Sequence, residues 1–287
     1  MTISVAILGP GALGLSLARH AAQRGLEVRL VGRGLEHAHR RLLKAQERWG
    51  QASAPDGSSH PHPWMERIRP CSHVDEALSG CQILLEALPE DLSLKATAWK
   101  RLDTLAPPEV LRLTGTSSLS IRTIREAAGM EQWLLGFHLF IPVHRMRVVE
   151  LAIQAGTPDH LLDRATSLAH TLDLQAVSVH DQPGLAAARM ALIQGLEAMR
   201  LLEQGAATAA DLDSLMVRGY GHPVGPLELS DRIGLDLRLA IAEQLHHATG
   251  NPCFEAPGNL RALVHQGNLG RKTGQGFFHW DAEGNRR

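Results

Sequence analysis

Residues 3–8 form a short apolar run ending on Gly9-Pro10-Gly11-Ala12-Leu13-Gly14, after which Leu13, Leu17, Ala18, Ala21 and Ala22 keep helical spacing up to Gly25. The pattern predicts strand, glycine turn and helix. Leu26 to Val31 reads as a second strand, so the opening segment makes one βαβ unit and points to a parallel sheet. A helix follows from about Leu35 to Trp49, with a basic face carrying His37, His39, Arg40, Arg41, Lys44 and Arg48. Residues 51–63 are a Gly/Ser/Pro-rich break. Its His60-Pro61-His62 has no Cys or carboxylate at ligand spacing beside it and reads as a solvated loop rather than a metal site.

Further strands are expected at Gln82 to Ala87, Val110 to Thr114, Leu134 to Phe140, Arg147 to Ile153 and Gln175 to His180, with helices between several of them. Past Asp181-Gln182-Pro183-Gly184 the texture changes. A long helix rich in Ala, Leu and Met runs from Ala186 to Gln204, and Asp211 to Arg218 and Leu235 to His247 are helical without strand alternation. The expected organisation is therefore a doubly wound α/β domain over 1–182 and an all-α domain over 183–287.

Composition narrows the function classes. Twenty-nine Lys plus Arg against 30 Asp plus Glu leave a net charge of −1, so no global field collects nucleic acid or an anionic membrane. One Tyr and five Phe give no aromatic-basic pattern for nucleic-acid recognition. Cys71, Cys81 and Cys253 form no CxxC; they read as packed thiols in a reducing compartment. With no apolar run long enough to span a bilayer and no basic leader before residue 3, a cytoplasmic location is expected.

In Gly9-x-Gly11-x-x-Gly14 the first glycine permits the turn, the second lets backbone N–H groups approach a pyrophosphate, and the third lets helix and strand pack closely. Gly9, Gly11, Ala12, Leu13 and Gly14 are thus candidate dinucleotide contacts. NAD-selective sites place an acid at the end of the second strand for the ribose hydroxyls; here that place reads Val31-Gly32-Arg33. Arg33 is read either as a partner for an adenosine 2′-phosphate or as a residue that stacks on adenine or faces solvent. Both NAD and NADP stay open as cofactors.

Gly136-Phe137-His138-Leu139-Phe140-Ile141-Pro142 leads through a turn into Arg147-Val148-Val149-Glu150-Leu151. If the two strands are neighbours, His138 and Glu150 meet. Oxidising an alcohol with a nicotinamide requires a base for the hydroxyl proton, and histidine titrates near the working pH. A carboxylate on the far ring nitrogen fixes the tautomer and stabilises the imidazolium. Thr116-Ser117-Ser118-Leu119 follows a strand, and one of its hydroxyls either holds a substrate oxygen or caps the helix from Ile121. With 16 histidines in the chain, no single His–Glu pairing is informative by itself.

Taken together, these pieces resemble the L-3-hydroxyacyl-CoA dehydrogenase family over nearly the whole chain. The resemblance rests on GPGALG, on Glu86-Ala87-Leu88-Pro89-Glu90 with Lys95, on TSSLSI at 116–121, and on GFHLFIPV with its later Glu150. It continues through Pro183-Gly184, Asp211-Leu212-Asp213, GYGHPVGPLELSDRIGLD from Gly219, and GRKTGQGFF from Gly270. It implies a Rossmann-type sheet followed by a helical domain that dimerises. His138 would be the base, Glu150 its partner and Ser117 a ligand of the substrate oxygen, with Glu90 and Lys95 near the nicotinamide ribose. It also implies a small-molecule substrate, an acyl-CoA or a related hydroxy acid, and a CoA groove beside the helix whose Arg40, Arg41, Lys44 and Arg48 read either as partners for phosphates or as a solvated face.

Three family asparagines are replaced. The residue before Thr116 is Gly115, the residue before Pro142 is Ile141, and the pattern PGFxxNR reads Pro183-Gly184-Leu185-Ala186-Ala187-Ala188-Arg189. Losing a donor where negative charge develops commonly lowers rate by about 10²- to 10³-fold. The substitutions therefore point to an altered substrate, a slower enzyme, or a dinucleotide-binding protein with little turnover.

Overall fold

The computed structural model describes residues 2–51 and 62–287. His60 and Pro61, with most of the 51–63 break, lie outside the described residues. The chain divides into two compact units, Met1–Leu185 and Ala186–Arg287.

The first unit begins β1 (Ser4–Leu8), α1 (Ala12–Gln23), β2 (Glu27–Val31), α2 (Leu35–Gln51) and β3 (Ile68–Cys71). It continues α3 (Val74–Leu78), β4 (Ile83–Glu86), α4 (Leu92–Leu105), β5 (Leu111–Thr114) and α5 (Ile121–Ala128). It closes with β6 (Leu135–Leu139), the short α6 (Val143–Met146), β7 (Val148–Ile153), α7 (Asp159–Thr171) and β8 (Gln175–His180). The sheet order is β3-β2-β1-β4-β5-β6-β7-β8. Neighbours from β3 to β6 are parallel, whereas β7 runs antiparallel to β6 and parallel to β8. Strand order reverses between β1 and β4, and such a switch point leaves a crevice at the carboxyl ends of the strands.

Sequence patterning missed one strand. Ile68-Arg69-Pro70-Cys71 is too short and too polar to show alternation, and its proline is tolerated because β3 is an edge strand. The sheet is covered on both faces, which is why β1, β4 and β6 read as near-continuous apolar runs. Ile7, Leu30, Leu85 and Phe137 pack with Leu17 and Ala21 of α1 and Leu168 of α7. Ala6, Leu84 and Ala152 pack on the other side with Trp99 of α4 and Ile121 and Ile124 of α5. The α5 cap is Ser120 rather than a residue of the preceding TSSL; Asp181, just after β8, reinforces it by accepting from the Ile121 and Arg122 amides, both at 2.8 Å.

The second unit contains α8 (Ala186–Glu203), α9 (Ala209–Ser214), α10 (Pro226–Ile233), α11 (Leu235–Thr249) and α12 (Gly258–His265). The helix expected from Asp211 starts at Ala209, capped by Thr208, and beyond Ser214 it widens into a π turn over Leu215–Gly219. Two buried aspartates organise this unit. Asp213 accepts from the Leu227 and Glu228 amides at the start of α10, and the Asp213 carboxylate occupies the place where a Cβ on Gly225 would stand. Asp231 accepts from the Phe277 and Phe278 amides and the Trp280 indole, tying the C-terminal segment to α10. Burial pushes both carboxyls above the ordinary aspartate range, against these hydrogen bonds. Cys71 and Cys81 are buried as expected, but Cys253 is exposed: in the short turn Pro252–Phe254 it is Phe254 that is buried. No helix among the described residues is long and apolar enough to cross a membrane.

Candidate functional site

The glycine turn sits where β1 meets α1. Gly9 has φ +111°, and a Cβ there would meet the Ala87 carbonyl oxygen at 2.5 Å. A Cβ on Gly14 would run into the Gly9 carbonyl. These two glycines are therefore set by turn geometry and strand–helix contact, whereas a Cβ on Gly11 would meet no protein atom within 4 Å. Gly11 is also the N-cap of α1, with no side-chain cap and no acid in the first turn. The amides of that turn are left for an external anion. A pocket of about 830 Å³ opens here, lined by Gly9, Pro10 and Gly11, by residues 31–34 after β2, by residues 72–74 after β3 and by residues 87–89 after β4. Its size and position match a dinucleotide at the switch point.

At the other side of the sheet, β6 and β7 pair so that His138 stands directly opposite Glu150. Directly paired residues project on the same face, and Nδ1 of His138 lies 2.9 Å from Oε2 of Glu150. Both residues are buried, and the ring packs against Phe140 with centroids 4.7 Å apart. The carboxylate holds Nδ1, so Nε2 is the nitrogen left to exchange a proton with a substrate.

Glu90 organises the loop after β5. Its Oε1 accepts from the Thr116 hydroxyl at 2.7 Å, the Ser118 hydroxyl at 2.9 Å, and the amides of Ser117, Ser118 and Leu119 at 2.6–3.2 Å. The Ser117 hydroxyl is 3.4 Å away, the loosest of these contacts, and so the one most readily given to another acceptor. Burial disfavours the Glu90 charge, but the Lys95 ammonium at 3.6 Å and these donors prevail and hold its carboxyl below the ordinary glutamate range. Because the folded-state value is lowered, this contribution is complete above an unfolded pKa of about 4.3 and fades as pH falls through the folded one. Thermal melts from neutral to acid pH should therefore fall more steeply for the native chain than for Glu90→Gln. Parallel curves would mean that the loop does not depend on this charge.

Lys95 lies beside Glu90. It is fully buried, 2.7 Å from Glu86 Oε1 and 3.2 Å from the Leu88 carbonyl, so it supports the β4–α4 turn from beneath and does not line the pocket. Glu86 also accepts from the Leu88 amide, the Thr114 hydroxyl and the Trp99 indole. Patterning gave Glu86 no role because a carboxylate ending an apolar strand shows nothing of its partners. Arg41 is re-placed. It lines the dinucleotide pocket, with Nε donating to the Pro10 carbonyl at 3.1 Å. At Gly115, the position of the missing asparagine, a Cβ would meet Leu13 Cδ2 at 2.6 Å, so a side chain there requires Leu13 to shift. Ile141 is exposed, and its peptide bond to Pro142 is cis.

Residues 4–182 match the 3-hydroxyacyl-CoA dehydrogenase NAD binding domain, and residues 184–280 match the C-terminal domain of the same family. The chain belongs to the 3-hydroxyacyl-CoA dehydrogenase family. A probable 3-hydroxybutyryl-CoA dehydrogenase of Deinococcus radiodurans is 31% identical over 96% of this chain and 99% of its own length. The Bacillus subtilis protein described in the same words is 32% identical over 96% and 97%. Among solved structures, (S)-3-hydroxybutyryl-CoA dehydrogenase from Ralstonia eutropha superposes with a TM-score of 0.89 at 28% identity, covering 98% of this chain and all of that one. This member of the family is an oxidoreductase that transfers hydride between a nicotinamide cofactor and a 3-hydroxy/3-oxo pair.

Proposed function

We propose that the chain interconverts 3-hydroxyacyl-CoA and 3-oxoacyl-CoA thioesters, using NAD(H) or NADP(H), with NADP(H) bound at least comparably. The observation that carries the mechanism is the 2.9 Å contact of His138 with Glu150 across the β6–β7 pair. In the oxidative direction His138 Nε2 removes the hydroxyl proton, and the Glu150 carboxylate stabilises the imidazolium that forms. The bound nicotinamide supplies the hydride acceptor. Ser117 donates to the substrate oxygen, on a loop fixed by Glu90. Gly9, Gly11, Ala12, Leu13 and Gly14 receive the pyrophosphate, and Arg33 borders the adenosine end. Gly115 and Ile141 offer no side-chain amide, so charge on the substrate oxygen rests on fewer donors and turnover is slower than where asparagines are present.

A panel of 3-oxoacyl-CoA thioesters and free 3-oxo acids, followed by nicotinamide absorbance, tests the substrate class. Faster turnover of the thioesters supports the proposal; turnover of free acids alone makes the chain a small hydroxy-acid dehydrogenase. Binding of cofactor with no turnover of either class leaves a dinucleotide-binding protein. Glu150→Gln keeps a polar partner for the ring but removes the charge, and should lower kcat by about 10²-fold or more with little change in cofactor Kd. Equal kcat in the variant would remove Glu150 from the mechanism.

Two further readings concern assembly and location. The second unit leaves Leu215, Val217, Tyr220, Ile233 and Leu237 exposed, which supports a homodimer; light scattering should give twice the chain mass. The three free cysteines suit a reducing cytoplasm.

A further inference from the structure

The end of β2 carries no carboxylate and is crowded against one. An ideal Cβ on Gly32 would stand 2.8 Å from His37 Nδ1 and 3.0 Å from the Ala38 amide nitrogen, because the first turn of α2 packs against it. A side chain there would have to displace the His37 ring and press on the Ala38 amide, so the position is crowded against an acid that would take both ribose hydroxyls.

The surrounding walls carry the opposite charge. Arg33 and His37 line the pocket after β2, and Arg41 stands one helical turn beyond His37, anchored over the glycine turn by the Pro10 carbonyl. Arg101 lines the same pocket from α4, beside Leu94, Ala98 and Leu102, and the β3–α3 turn adds Ser72 and His73. Among the described residues none of those lining the pocket is acidic. The nearby carboxylate of Glu76 is engaged by the amide and hydroxyl of Ser72. His37 is held below its ordinary value by burial and then by Arg33, Arg40 and Arg41, as expected where positive charge is unopposed.

We propose that this pocket selects NADP(H) over NAD(H), with Arg33 and Arg41 on one wall and Arg101 on the other recognising the adenosine 2′-phosphate. The bare ribose diol meets no carboxylate among the residues lining the pocket, whereas a phosphate dianion meets guanidinium donors whose fork geometry suits it. Arg101 is thus a specificity-determining residue contributed by α4, far in sequence from the β2 segment where selectivity is usually read. The proposal rests on the nicotinamide reading and is independent of which substrate is oxidised.

Adenosine 2′,5′-bisphosphate and 5′-AMP are the probes, because they report on the adenosine end alone. Calorimetric titration of the full chain should give the bisphosphate an affinity about tenfold or more above that of AMP. Arg33→Ala and Arg101→Ala, both at exposed positions, should each lower bisphosphate affinity about tenfold and leave AMP within about twofold. Equal affinity of the two probes for the native chain overturns the proposal, as does a variant that weakens both probes alike. Bisphosphate selectivity in a protein that turns over no 3-oxo substrate would refute the proposed reaction and leave the cradle standing.

Discussion

Replacing His138 by alanine should lower kcat by about 10²- to 10⁴-fold, the contribution of a positioned general base. Cofactor Kd should stay nearly constant, because the glycine turn and the ends of β2 and β4 hold the dinucleotide while His138 lies on β6. The loss belongs to kcat and kcat/KM together, since the imidazole interacts with a proton that moves only in the transition state. Single-turnover measurement of NADPH oxidation with a 3-oxoacyl-CoA checks it without interference from product release. If the alanine variant keeps native kcat, the 2.9 Å pair with Glu150 is a structural contact between two strands and the base must be sought elsewhere. Combining His138→Ala with Glu150→Gln should lower kcat little further, because the carboxylate acts through the ring.

The largest effect on stability is expected from Glu86→Ala. That substitution leaves the Lys95 ammonium fully buried with only the Leu88 carbonyl at 3.2 Å and Glu90 at 3.6 Å, and strips the Trp99 indole and the Thr114 hydroxyl of their acceptor. Breaking a buried pair from one side costs about 3–5 kcal/mol, because an uncompensated charge remains in low dielectric. At about 2–4 °C per kcal/mol for a domain of this size, the melting temperature should fall on the order of 10 °C. Lys95→Met should be milder, since Glu86 keeps three neutral donors. The Glu86→Leu and Lys95→Met changes together should cost less than Glu86→Ala alone. Urea melts of the full chain measure all three, and a Glu86→Ala loss below about 1 kcal/mol would show that water or relaxation solvates the ammonium. Dinucleotide affinity should drop in the same variant, because the pair supports residues 87–89, which line the pocket.

Much of the first unit was legible in the sequence. Strands such as β1 and β4 follow apolar runs bounded by turn residues, and Gly9 and Gly14 occupy positions that a φ angle or a close approach requires. The His138–Glu150 pair was visible only as a conditional, because alternation along β6 and β7 gives each strand a face but not the register between them. Lys95, placed near the nicotinamide ribose by the family resemblance alone, shows a partner that no local pattern records: its ammonium turns inward to Glu86. The edge strand β3 was missed because four residues including Arg and Pro carry no periodicity.

By itself the sequence determined that a glycine turn joins strand to helix, that an all-helical segment follows the α/β segment, and that an imidazole and a carboxylate lie on consecutive strands. These are consequences of local periodicity and of glycine's missing Cβ, which act over a few residues. The tertiary structure alone decided that β7 reverses direction beside β6, bringing His138 to Glu150, and that Arg41 and Arg101 face one pocket with Arg33. It alone showed how tightly His37 and Ala38 pack on Gly32 and Leu13 on Gly115. Such outcomes depend on close packing between segments distant in the chain, where a contact of 3 Å is fixed by the whole core and not by either residue's neighbours.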